Sequence, residues 1–259
     1  MIFNTHTHLN SDQLYPNYKY FLQNAIDSKV TYFMVVGYDL ESSLKAIEIA
    51  NSSDGVYAAV GIHPSELKSM KDDDLLKIEE LLKNEKVKAI GEIGLDYYWD
   101  KDEEYIKVQK EYFIKQIELA NKYKLPIIIH CRDAISDCYK IIKENKNKLH
   151  KGIMHCYAGS VEMIKDFTNL GLSISLGGSV TFKNAKTPKE VAKVIDINKL
   201  LVETDDPYLA PHPLRGTLNE PKNVTLVIQE IANLRNMTYD EVAKTTCKNA
   251  LEVFNLCEK

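Results

Sequence analysis

Pro126-Ile127-Ile128-Ile129-His130 is a short run of apolar side chains closed by one polar group. A run that is apolar on successive residues and too short for a helix reads as a strand buried on both faces, the kind found in parallel sheets. Immediately upstream, Asp102 to Lys124 carries Ile106, Phe113, Ile117 and Ala120 on one side of a helical period. Pro126 stands just past the end of that pattern, where a helix stops. The unit is therefore helix, short break, buried strand, polar terminus.

The same unit recurs along the chain. Tyr32 to Val36 ends at Gly37, Val56 to Ile62 at His63-Pro64, and Val87 to Gly91 at Glu92. Gly152 to Met154 ends at His155, Leu172 to Leu176 at Gly177-Gly178, and Leu200 to Val202 leads through Glu203-Thr204 to Asp205. With the opening run Met1-Ile2-Phe3, these make eight. Helical periodicity fills the gaps at Ser42 to Asn51, Asp72 to Asn84, a segment with Pro188 in its first turn, and a last helix opened by the capping box Thr238-x-x-Glu241. Eight strand–helix alternations predict an α/β fold of the (β/α)8 TIM-barrel type, in a single domain over residues 1–259. A doubly wound open sheet is the alternative, because periodicity does not show closure. Pro207 to Pro221 holds four of the eight prolines, and a stiff loop there is expected over the barrel mouth.

Catalytic groups of such barrels stand at the C-terminal strand ends, and here the polar residues collect there. In Asn4-Thr5-His6-Thr7-His8, a period of two turns His6 and His8 the same way. Glu92, His130, His155 and Asp205 follow the fourth, fifth, sixth and eighth runs. Singly, each has a structural reading: a buried core histidine, or a glutamate paired with an arginine. Jointly, four imidazoles and two carboxylates on one rim need compensating positive charge, which divalent metal supplies. Six ligands exceed what one open catalytic ion uses, so two ions sharing a carboxylate fit the number better. Nitrogen and oxygen donors admit Zn, Mg, Mn, Ni or Fe. Strand alternation turns Cys131 and Cys156 away from the ligands, as packing thiols.

A net charge of −4 argues against a protein that coats nucleic acid by charge alone, though not against one that grips a strand end. Five cysteines, without a CxxC pair, read as reduced thiols and a cytoplasmic setting. No run approaches the length of a membrane span, and a functional His6 leaves no room for a cleaved leader. The Lys140 to Lys151 run reads as a solvated helix end, with His150 and His212 on the surface.

The ordered motifs resemble the TatD family of metal-dependent hydrolases. They are Asn4 to His8, Val60-Gly61-Ile62-His63-Pro64, Gly91-Glu92-Ile93-Gly94-Leu95-Asp96-Tyr97, Ile129 to Ala134, His155 to Ser160, Val202 to Pro211, and Arg215-Gly216 with Asn219-Glu220-Pro221. The resemblance runs from Met1 to about Phe254. It implies one metal on His6, His8 and Asp205, another on His130 and His155, Glu92 bridging, and Asp205 as the base that activates water. It also implies metal-dependent DNase activity, of the 3′–5′ exonuclease type, on DNA ends. A lysine bridge of related barrels is replaced by Glu92. Thr217-Leu218 stand where family members often carry two basic residues, which weakens the expected grip on nucleic acid.

Further expectations concern substrate. Arg132 and Arg215 are candidates for gripping phosphate, and His63 and Tyr157 for touching substrate. Tyr97, Tyr98 and Trp99 join Tyr157 as aromatics able to stack on bases. Glu203, deeper than Asp205 on the same face, is expected to support the ligands from behind. A two-metal site also serves ester or amide hydrolysis, aminoacyl-tRNA deacylation included, and a non-enzymatic metal-binding barrel is the third reading. A monomer is compatible with each.

Overall fold

A computed structural model of the chain describes residues 1–145 and 151–257. Eight strands form one sheet in chain order: β1 Ile2–Thr7, β2 Val30–Val36, β3 Val56–Val60, β4 Val87–Asp96, β5 Ile127–Arg132, β6 Gly152–Met154, β7 Leu172–Leu176 and β8 Leu200–Val202. Every neighbouring pair is parallel. The helices between them are α1 Tyr18–Asp27, α2 Leu40–Ser52, α3 Asp74–Leu81, α4 Glu103–Tyr123, α5 Ile135–Glu144, α6 Met163–Asn169, α7 Lys186–Val194, α8 Val224–Arg235 and α9 Tyr239–Val253.

The seam lies between β1 and the turn after β8. Asp205 N donates to His6 O at 3.1 Å, and His8 N donates to Asp206 O at 2.9 Å. Side chains fasten the same edge. Asn4 Nδ2 donates to Thr204 Oγ1 at 2.8 Å, Thr204 N donates back to Asn4 Oδ1 at 3.0 Å, and Thr7 Oγ1 donates to Asp206 Oδ2 at 2.7 Å. These bonds make the sheet a nearly closed barrel, so the open-sheet alternative falls.

Strand parity sorts the core. Val35, Ala58, Ile129, Ile174 and Val202 pack outward with helix residues such as Ile78 and Phe113. The opposite set, Phe3, Met34, Ala59, Ile128, Ile153 and Leu201, forms an inner cluster with Leu251 and Phe254. The Phe3 and Phe254 rings lie 5.4 Å apart, so the end of α9 plugs the N-terminal end of the barrel. Phe254 is fully buried, a contribution of about 1.5–3 kcal/mol. That plug leaves the C-terminal end as the open one.

Caps follow the chemistry read from the sequence. Asp102 accepts from Tyr105 N to start α4, and Thr238 with Glu241 forms the capping box of α9. Lys124 ends α4 in a left-handed conformation before Pro126. α3 is shorter at both ends than Asp72 to Asn84. The helix expected from Ser42 starts earlier, because Asp39 caps α2 in a box with Ser42. The Lys140 to Lys151 run enters the end of α5, while its residues 146–150, His150 among them, lie outside the described residues.

Candidate metal centre

Glu92 is not the residue that follows a strand, as the apolar run suggests; it sits inside β4, which continues to Asp96. The register of β4 against β5 breaks between Ile90 and Ile93. Ala89 and Glu92 therefore both face the barrel interior although three positions separate them. A comparable break between Asn4 and Thr7 lets Phe3 and His6 share the interior. Gly94 permits the next approach: at φ +144° it lies so close to β5 that an added Cβ would meet His130 O at 1.9 Å.

The six expected ligands converge. His6 Nε2 and His8 Nε2 are 3.0 Å apart. Glu92 Oε2 is 3.5 Å from the first and 3.6 Å from the second. Asp205 Oδ1 is 3.8 Å from His6 Nε2 and 3.6 Å from His8 Nε2. Across the carboxylate, Glu92 Oε1 lies 2.9 Å from both His130 Nδ1 and His155 Nε2. Donor atoms held about 2.0–2.2 Å from one ion stand roughly 3–3.5 Å from each other, so the spacing around His6, His8 and Asp205 fits a shared cation. His6, His8 and Asp205 form one group close enough to hold a metal ion, and Glu92 with His130 and His63 forms another.

The outer nitrogens of two of these imidazoles meet acceptors, whereas His6 Nδ1 and His155 Nδ1 are buried without a hydrogen-bond partner. His8 Nδ1 donates to Val36 O at 2.9 Å, which leaves Nε2 free to ligate. His130 Nε2 faces Asp96 Oδ2 at 2.9 Å, and His155 Nδ1 faces Glu203 Oε1 at 3.4 Å. Glu203 thus lies behind His155, on the side away from Glu92, and accepts from Cys156 N at 2.5 Å.

Burial and charge shape the protonation of the site. Burial lowers His6, with His155 adding to the effect. Burial pulls on His155 as well, but Glu92 and Glu203 outweigh it and hold the imidazole well above its usual range. His130 is raised to about 9, because Asp96 and Glu92 overcome its burial. Glu92 is driven well below the carboxylate range, since His155, His63 and His130 outweigh the cost of burying it. Burial raises Asp206, wedged between Thr7 and Thr204, to about 7. A cluster that traps protons in this way is one that divalent cations displace.

The centre opens into a cavity of about 700 Å³. His63 and Arg132 line it; Tyr157 and Arg215 do not. The chain leaving β6 takes a left-handed turn at Cys156, φ +43°. Tyr157 is thereby buried, with its hydroxyl donating to Ser160 O at 2.8 Å and its ring 6.2 Å from Phe167. Arg215 is exposed, its guanidinium 4.2 Å from the Phe182 ring. The same turn brings Cys156 to the cavity, against the alternation argument; Cys131 touches the cavity too while packing on the outer core. Tyr97 turns to Asp137, whereas Trp99 lines the cavity mouth, 72% exposed. Tyr208 and Leu209 bring the proline-rich loop to the rim, and buried Asn219 ties that loop to Thr204 O and Tyr208 O. His212 is exposed, as expected.

Two further polar residues hold parts of the site in place. Asp96 orients His130, and its other oxygen accepts from Tyr98 N at 2.9 Å and Trp99 N at 3.2 Å. Asn4 locks the seam that carries Asp205. Both lie inside quoted motifs, but only the fold shows what they touch.

An α/β barrel with imidazoles and carboxylates gathered at its C-terminal mouth defines a metal-dependent hydrolase. The family profile described as TatD related DNase matches residues 3–255, and the chain belongs to the TatD family. It is 46% identical to the uncharacterized metal-dependent hydrolase YabD of Bacillus subtilis, over 99% of this chain and all of that one. It is 33% identical to the uncharacterized metal-dependent hydrolase YcfH of Escherichia coli K12, over 97% and 95% of the two chains. Among solved structures, the TatD homolog YjjV of Escherichia coli superposes with a TM-score of 0.92 at 27% identity, covering 99% of this chain and 98% of that one. A TatD family hydrolase from Entamoeba histolytica gives 0.83 at 25%, covering 97% of each.

Proposed function

We propose that the chain is a two-metal phosphodiesterase that removes nucleotides from DNA ends, in the 3′–5′ direction. The observation that carries this reading is the split environment of Glu92: one oxygen faces His130 and His155, the other faces His6 and His8. His6, His8 and Asp205 would hold one ion and His130 and His155 the other, with Glu92 placed between the two groups. When bound, the two cations supply Lewis acidity to water and offset charge on the phosphodiester.

The chain's own groups do the rest. Asp205, its side chain 14% exposed at the mouth, orients the attacking water and takes its proton. Arg132 reaches the cavity with its guanidinium 3.8 Å from the Tyr98 ring and 5.5 Å from that of Trp99. A cation beside an exposed indole suits a phosphate with its base, and stacking is tolerant of sequence. A cavity of about 700 Å³ takes a nucleotide-sized group rather than a duplex. Five cysteines free of disulfides fit a cytoplasmic setting.

A second reading, hydrolysis of an ester or amide such as an aminoacyl-tRNA linkage, has one observation in its favour. Among the described residues lining the cavity, Arg132 is the one Lys or Arg, and Thr217 and Leu218 are exposed where a basic pair would help. The test is incubation with single-stranded DNA labelled at either end, with Mg²⁺, Mn²⁺ or Zn²⁺, beside Glu92→Ala. Stepwise mononucleotide release from the 3′ end by the wild type alone supports the nuclease. Turnover of an aryl ester without any DNA cleavage supports the second reading.

A further inference from the structure

His63 is spaced closely enough to Glu92 and His130 to look like a metal ligand. Its outer nitrogen says otherwise. His8 Nδ1 meets a carbonyl oxygen and His130 Nε2 a carboxylate. Each of these acceptors keeps a proton on the outer nitrogen and frees the inner one for metal. His63 Nδ1 instead meets a donor, the backbone N–H of Ser65 at 3.1 Å. The hydrogen of a peptide N–H is fixed by the peptide plane, so Nδ1 must present its lone pair. The Ser65 hydroxyl lies 2.7 Å from Nδ1 and donates to Glu66 Oε1 at 2.9 Å, so the peptide N–H is the donor that sets the tautomer. A neutral imidazole that accepts at Nδ1 carries its proton on Nε2. His63 lines the cavity, and its Nε2 lies 3.6 Å from Glu92 Oε1, too far for a hydrogen bond. The ring is held edge-on to His130, with centroids 4.3 Å apart.

We propose that His63 is a catalytic residue, not a ligand: its Nε2–H is a fixed hydrogen-bond donor to the substrate oxygen on which charge builds as water attacks. No proton transfer is involved; the donor is oriented beforehand by the turn at Pro64-Ser65, which is the use of the His-Pro pair in this motif. The role serves a phosphoryl or a carbonyl oxygen alike. It therefore rests on the hydrolytic site and not on the DNA-end reading.

The test compares wild type with His63→Ala, His63→Gln and His63→Asn. A glutamine amide nitrogen can reach the place of Nε2, whereas an asparagine amide nitrogen falls at the place of Nδ1. Metal content after reconstitution is measured first, then hydrolysis of bis(p-nitrophenyl) phosphate and p-nitrophenyl acetate. The expected result is unchanged metal content in all four proteins and a fall in kcat of about 10²–10³-fold for the alanine and asparagine variants. The glutamine variant recovers at least tenfold of that loss. If the wild type hydrolyses neither compound, calorimetric binding of inorganic phosphate to the metal-loaded protein is the readout, with the same ranking expected. Loss of metal in the alanine variant makes His63 a ligand and overturns the proposal, as does a glutamine variant no better than asparagine. Failure on DNA with His63 dependence intact on either small ester would sink the nuclease reading alone.

Discussion

Asp96→Asn is the substitution that separates orientation of a ligand from everything else Asp96 does. Oδ1 accepts from Tyr98 N and Trp99 N, and an asparagine oxygen keeps both bonds. Oδ2 faces His130 Nε2 at 2.9 Å, and there the change replaces a charged acceptor by an amide N–H₂. The amide confronts the imidazole N–H with a second donor, so His130 must rotate or expose its other nitrogen. Outer partners of ligand histidines are typically worth 10–100-fold in metal affinity or activity, about 1.4–2.7 kcal/mol. The largest factor raising His130 is also removed, so its protonation falls below about 9 in the metal-free protein. Competition titration with a chromogenic chelator should show one weakened ion and one unchanged ion per chain. Thermal unfolding of the metal-free variant should show a loss of about 1–3 kcal/mol, because the buried His130–Asp96 pair is broken and a donor is left unsatisfied. Two ions bound at wild-type affinity would refute the role of Asp96, and equal weakening of both would refute its confinement to the His130 side.

Other expectations follow from the same geometry. Metal loading should release protons, since His130 stays protonated up to about 9 without metal. Affinity should therefore rise between pH 7 and 8.5, and calorimetry in buffers of different ionisation enthalpy counts the protons; an affinity independent of pH would contradict the protonation described. Asn4→Ala removes the Asn4–Thr204 bond and strands Thr204 N in the barrel seam, at a cost of about 2–4 kcal/mol. A fall in Tm of roughly 5–15 °C is expected by calorimetry, and a change under 2 °C would show that the seam does not depend on Asn4. Trp99 is the one tryptophan of the chain and lines the mouth, so single-stranded oligonucleotide should alter its emission directly. Trp99→Ala should raise KM on DNA by about tenfold, in line with a stacking loss of about 1–3 kcal/mol, while leaving hydrolysis of small aryl esters unchanged.

Most of the fold is legible because the burial that shapes it is local in sequence. Ile127-Ile128-Ile129 is apolar on both faces for a reason: one face meets helices and the other meets the inner cluster that Phe254 closes. Strand ends are legible only where they follow apolar runs. β4 carries polar Glu92 and Asp96 within the strand, so the run stops at Gly91 while the hydrogen bonding does not. Period-two reasoning gives the right partners for His6 and His8, yet misses the register break that lets Phe3 and His6 face inward together. It misplaces Cys156, because a left-handed residue ends the alternation. Among the helices, the periodic stretches read from the sequence cover α2, α3, α4, α7 and α9 and leave out α1, α5, α6 and α8. The six metal-side residues are readable because each is the polar stop of an apolar run or part of an alternating pair. Asp96, Asn4 and the tautomer of His63 are not readable in that way. Their roles consist of contacts to residues far off in sequence or of the direction of a single N–H.

The central claim is that Glu92 divides two cation sites within one barrel mouth. Crystals grown with Mn²⁺ and measured at an anomalous wavelength test it most directly. Two peaks about 3.5–4 Å apart are expected, one among His6, His8 and Asp205, the other against His130 and His155, with Glu92 touching both and His63 touching neither. A lone peak at full occupancy in Mn²⁺ excess, or a peak ligated by Glu203 or His63, would contradict the account.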